Sequence, residues 1–148
     1  MIVLSVVMIA FVVLELTNVL MLYLSPGTRR GNGMGVFVAY EKSKQDPEVH
    51  ALVTYLINWV AGSKLIFVVL LIGIVITGNP STKFFSVIAL IFSILTFFSR
   101  LYPEIKQLDA DGQIIPKGYS RTLGIMISCF VGVFAASLVI YLVFFHVW

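Results

Sequence analysis

Residues 2–24 read IVLSVVMIAFVVLELTNVLMLYL, an apolar run of more than twenty residues that carries a single charged side chain, Glu15. Residues 51–77 read ALVTYLINWVAGSKLIFVVLLIGIVIT, again with one charge, Lys64. A helix rises about 1.5 Å per residue, so each run reaches the roughly 20 residues that cross a hydrocarbon core. The two stretches predict membrane-spanning helices. They also pose the question of why two charges of opposite sign stand inside them.

Working outward, residues 84–98 form a third apolar segment, which extends to Tyr102 if Arg100 lies at the interface, and residues 123–147 form a fourth. With 59% hydrophobic and 11% charged residues among 148, the chain has too little polar surface to cover a water-soluble domain of this size. The fold class is therefore an all-α membrane protein: a four-transmembrane-helix bundle with helices over about 2–24, 47–78, 80–102 and 120–147, read as one domain spanning 1–148. The first run lacks the basic start and the small-residue cleavage motif of a secretory signal peptide, so it reads as a retained helix.

Basic residues decide the expected orientation. Arg29, Arg30, Lys42 and Lys44 follow the first helix, and Arg100, Lys106, Lys117 and Arg121 surround the connection between the third and fourth; Lys83 alone opposes them. Lys and Arg are retained on the cytoplasmic side. The two long connections are thus expected in the cytoplasm, with both termini and the Asn79–Lys83 turn outside a cell (inner) membrane. Tyr23, Tyr55, Tyr102 and Tyr119 mark the inner end of the four helices, as an aromatic belt does.

Local signals place the boundaries. Ser25-Pro26-Gly27 ends the first helix, and residues 34–44 mix apolar and charged side chains in a way that suits an interfacial amphipathic helix. Asp46-Pro47-Glu48 supplies a cap, a first-turn proline and a first-turn acid for the second helix. Asn79-Pro80 does the same for the third and predicts an antiparallel hairpin of helices two and three. The third helix is expected to stop before Pro103, because the residue before a proline is pushed from helical geometry. Residues 108–113, LDADGQ, read as a turn, with a small hairpin ending at Pro116, and Ser120 is expected to cap the fourth helix.

The two intramembrane charges lie level. Glu15 is eight residues from Tyr23 and Lys64 nine from Tyr55, which puts both roughly 12–14 Å below the inner belt. A charge at that depth costs at least about 2.5 kcal/mol, and an ion pair between antiparallel neighbours lowers the cost. Glu15, Asn18, Asn58 and Lys64 form the candidate polar cluster, either a structural brace that fixes helix register or a binding site or proton relay. Arg29, Arg30, Arg100 and Arg121 are candidates for lipid headgroup or anion contact. Small residues at Gly124, Ser128, Gly132 and Ala136, and a second, weakly polar stripe at Ser86, Ala89, Ser93, Thr96 and Arg100, read as helix-packing seams.

Several classes lose support. A net charge of +3 is too modest for nucleic-acid binding, and the single cysteine, Cys129, allows no internal disulfide. Asp109 and Asp111 lack the other ligands of a calcium loop. His50 and His146 fall on opposite sides of the membrane and cannot share a metal or haem. No cofactor or nucleophile–base motif is present. The expected function is an oligomeric or accessory membrane subunit whose basic loops meet anionic lipid headgroups or a membrane-protein partner. A small-solute or ion transporter using Glu15 and Lys64 is the alternative.

A third reading comes from a resemblance. Asp46-Pro47-Glu48-Val49 entering the second helix, Asn58 further along it, and Asn79-Pro80-Ser81-Thr82 at the short turn are similar to the membrane-associated eicosanoid and glutathione family. The resemblance implies a trimer of four-helix protomers and a glutathione-type membrane enzyme. It departs where that family has an arginine, a histidine and a glutamate around the asparagine, since Thr54, Leu56 and Ala61 stand there.

Overall fold

A computed structural model describes residues 2–145. Its helices are α1 (Ile2–Leu24), α2 (Val38–Ser43), α3 (Pro47–Thr77), α4 (Pro80–Ser99), α5 (Leu101–Ala110) and α6 (Tyr119–Phe145). Among the described residues, four helical stretches are long and apolar enough to cross a bilayer: α1, α3, α4 with its continuation α5, and α6. This is the make-up of a multi-pass membrane protein. Helix four was expected to reach residue 147; its last residues, with His146, lie outside the described residues.

Lipid tails are as apolar as leucine, so spanning helices associate through close packing and polar links rather than by escape from water. α1 is the hub: it packs along α3 and also touches α6 and α4, while α4 packs on α6. Its Leu4, Met8, Phe11 and Val12 are buried against Val68 and Leu71 of α3, Val87 and Leu90 of α4, and Phe134 and Tyr141 of α6. The Phe11 ring meets Phe134, Phe130 and Phe67 edge-on at 5.4, 5.9 and 6.2 Å, the geometry that aromatic quadrupoles favour. α3 and α4, expected to pair as a hairpin, share few contacts, because α3 is held by α1 instead.

The helix starts follow the sequence. Asp46 accepts hydrogen bonds from the Glu48 and Val49 amides at 3.0 and 3.2 Å, and Asn79 accepts one from the Thr82 amide at 2.9 Å, each with proline in the next position. The third helix departs from expectation. It breaks at Arg100 (φ −126°, ψ −62°) and resumes as α5 with Pro103 in its first turn, where the missing N–H forfeits no intrahelical hydrogen bond.

The end carrying the two long connections is organised by contacts between them. The amphipathic stretch expected over 34–44 divides into a 3-10 turn, Met34–Val36, and α2, with Phe37 extended between them. The extended piece pairs with the other connection: the Val38 amide donates to the Gln113 carbonyl at 2.9 Å and the Ile115 amide to the Val36 carbonyl at 2.8 Å. Val36 and Ile114 are buried by this pairing. Leu108–Ala110, expected in a turn, finish α5, and only Asp111–Gln113 turn the chain, toward residues 36–38 rather than into a hairpin with Pro116. Gly35 lets the first connection fold closely on itself, since a Cβ there would run into the Gly27 carbonyl, and its amide donates to the Thr28 carbonyl at 3.1 Å.

Asp109 locks the same end. Its carboxylate accepts from the Ser120 hydroxyl at 2.6 Å, the Ser120 amide at 2.9 Å and the Gly118 amide at 2.9 Å. Ser120, expected to cap the last helix, is a donor inside its first turn, and the cap comes from α5 instead. The Ser120 hydroxyl, followed by the two amides, favours the ionised form and lowers the Asp109 pKa. Asp109→Asn should lower the melting temperature by several degrees. A lowered folded pKa means that this contribution is complete above the ordinary carboxylate value of about 3.9 and is lost as pH falls through the folded value. Melting followed by circular dichroism should show the gap between wild type and Asp109→Asn closing as pH is taken below about 4; a gap independent of pH would contradict the assignment.

Candidate functional site

Glu15 stands in the loop-side half of α1 and Lys64 in the middle of α3, the two helices in closest association. The Lys64 ammonium donates to Oε2 of Glu15 at 2.6 Å. The Glu15 side chain keeps 18% of its surface and the Lys64 side chain 29%, so the pair is shielded without being sealed, and its value lies below that of a fully buried pair. In hydrocarbon the alternative for either charge is no partner at all, which makes the pair strongly directional for the α1–α3 register. Nearer the loop end, the Tyr23 hydroxyl lies against Gly62 of α3, where a Cβ would stand 3.4 Å from it.

Beside the pair a cleft of about 330 Å³ opens between α1, α4 and α6. That volume falls near the lower end of small-ligand sites, roughly 300–1,000 Å³. Glu15 and Asn18 line it together with Phe11 and Met21 of α1, Ile94 of α4 and Phe130 of α6. Gly31 and Asn32, from the connection after α1, line it as well. Gly31 adopts φ +54°, a left-handed conformation that glycine takes without strain, and it lies against the side chains of Met21 and Asn18. The Tyr119 hydroxyl of α6 donates to the Gly31 carbonyl at 3.4 Å and ties the loop down.

Of the sequence-predicted cluster, Glu15 and Lys64 meet and Asn18 shares the cleft with Glu15. Asn58 is exposed on α3 and lines neither the pair nor the cleft. Arg29, Arg30, Arg100 and Arg121 are all exposed. Arg121 borders a shallow groove with Phe98, Tyr102, Gly124 and Ser128, and the other three line no part of the Glu15 cleft. The arginines and Asn58 thus do not converge as a glutathione-type site would require.

Sequence reading missed Lys83. Counted as the one basic residue at the far end, it is 8% exposed and donates to the Ser5 hydroxyl of α1 at 3.1 Å. One signal was present: a lysine in the first turns of a helix opposes the helix dipole and needs another reason to be there. His50 is used locally, with Nδ1 2.9 Å from the Ser43 hydroxyl and its ring against Tyr40. Among the described residues, no three His, Cys, Asp or Glu side chains gather as a metal site.

Comparison with family models, curated proteins and solved structures gives no match. Fold and site define the class: an all-helical protein with four helices fit to cross a membrane, braced internally by an ion pair. Glu15→Gln and Lys64→Met should each cost about 2 kcal/mol, less than the roughly 3–5 kcal/mol of a fully buried pair. The double variant should lose less than the sum of the two, by about 1 kcal/mol or more, in reversible unfolding from bicelles. Additive losses would argue against direct coupling.

Proposed function

We propose that the chain is an oligomeric or accessory subunit of a cell membrane, with the two long connections in the cytoplasm and both termini outside. The supporting observation is that its small-residue seams are left uncovered within the chain. Ala89, Ser93 and Thr96 on α4 and Ser128, Gly132 and Ala136 on α6 are exposed, and a Cβ added at Gly132 would meet nothing within 4 Å. Only Gly124 of the α6 seam serves the fold itself, lying beneath the Tyr102 ring. Small side chains facing lipid contribute little contact, whereas facing another helix they allow close backbone approach.

The orientation rests on charge. Arg29, Arg30, Lys42, Lys106, Lys117 and Arg121 are exposed at the loop end, while Lys83, the opposing charge, is withdrawn into the bundle. Those exposed cations suit an anionic leaflet or an acidic partner. The cleft beside Glu15 favours a second reading, small-solute or ion transport; uptake into proteoliposomes that disappears in Glu15→Gln would support it over the first.

Mass measurement in nanodiscs should find more than one copy of the chain per particle, or a co-purified membrane partner. Gly132→Leu should reduce that association at least about fivefold without lowering the melting temperature. A monomer free of partners at all concentrations would overturn the subunit reading. In a Cys129→Ser background, Lys117→Cys should react with an impermeant thiol reagent only in permeabilised cells, and labelling of intact cells would reverse the proposed topology.

A further inference from the structure

We propose that the α1–α4–α6 cleft is a binding site for a single-chain amphiphile with an uncharged hydroxyl head. The head sits at Glu15 and Asn18, and the chain runs past Ile94 and Leu14 to Phe11 and Phe130. The cleft follows α1 from Phe11 to Met21, and about 10 Å of it, from Asn18 to Phe11, lies on the deep side of the head position, which suits a narrow extended chain better than a compact molecule. Its polar groups are not spread along it. Glu15, Thr17, Asn18, Gly31 and Asn32 lie from the middle of the cleft to its loop-side end, beside Met21, Ile94, Met126 and Ile127, and the part deeper than Glu15 is lined by Phe11, Leu14 and Phe130 alone.

The head chemistry follows from what the polar residues have left to offer. Oε2 of Glu15 is taken by Lys64, and among the described residues no group donates to Oε1. Thr17 also lines the cleft, but its hydroxyl is spent on the Val13 carbonyl. The half-buried Asn18 amide makes no side-chain hydrogen bond to another described residue, so its NH2 group and carbonyl oxygen, with Oε1 of Glu15, are left for a ligand in the cleft. A hydroxyl, which donates once and accepts, matches a carboxylate oxygen beside an amide. An anionic head would meet the Glu15 carboxylate. A cationic head would add a second positive charge beside Lys64 with one carboxylate between them, and an excess charge at this depth is costly. An uncharged head leaves the ion pair intact.

The test uses the full chain in phosphatidylcholine nanodiscs and dodecanol carrying a photoreactive diazirine on its chain. Cross-links should concentrate on residues 11–18 and 126–130 over the lipid-facing sides of α3 and α4, and unlabelled dodecanol should compete. Dodecane and dodecanoate should compete at least about fivefold less well, since one lacks the head hydroxyl and the other is anionic. Asn18→Leu should weaken dodecanol labelling about fivefold while leaving labelling by a diazirine-bearing dodecane unchanged. Ile127→Trp, which fills the cleft, should abolish both; Leu14→Trp does the same from the α1 side if the first variant fails to fold. Labelling spread evenly over the lipid-facing surface, equal competition by dodecane, or stronger competition by dodecanoate would overturn the proposal. These outcomes are separate from the oligomer and transport tests, because each is read on binding alone.

Discussion

The contact between the Lys64 ammonium and the Glu15 carboxylate, 2.6 Å long, joins the two helices on which the rest of the bundle is arranged. In water such a contact would be one weak link among many. In hydrocarbon every helix face is equally apolar to the solvent, so apolar contact alone chooses poorly among rotations and slides of one helix on another. A pair of charges that has no other partner at that depth chooses sharply. Sliding α3 by one turn, about 5.4 Å, would leave both ions exposed to lipid.

α1 is held at a second level as well. Ser5 receives the Lys83 ammonium from α4, ten residues of helix away from Glu15. The hub therefore carries one polar link toward α3 and another toward α4, with the Phe11 aromatic cluster between them. This explains how α3 and α4 can follow each other through a short turn and still share few contacts: α3 answers to α1, and α4 to α6 with a polar link to α1. It also leaves room between α1, α4 and α6, where the cleft opens.

The loop end follows the same rule with backbone in place of side chains. Two connections far apart in sequence satisfy each other's amides and carbonyls at residues 36–38 and 113–115, and Asp109 satisfies the first amides of α6 from outside that helix. A polar segment near a membrane must place its backbone groups somewhere, and here it places them on the other polar segment. The tether from Tyr119 to Gly31 extends that order to the rim of the cleft. The open features of the molecule, the α4 and α6 seams and the exposed arginines, lie on the outside, where a partner or a leaflet would meet them.

What the sequence determined was most of what is set by one residue and its near neighbours. Apolar length predicted four helices, Asp46-Pro47 and Asn79-Pro80 predicted two helix starts, and the equal depth of Glu15 and Lys64 predicted their meeting; all depend on rise per residue and local capping, which operate within a few positions. Tertiary structure decided the rest. Which helix is central, that Lys83 turns inward to Ser5, that Asn58 stays outside while Asn18 enters the cleft, and that Asp109 rather than Ser120 caps the last helix are all choices of partner. Partners lie many residues apart, and no local preference encodes their identity. Only when the apolar faces and the two charges have fixed how the helices stack does each polar group acquire the one neighbour that can satisfy it.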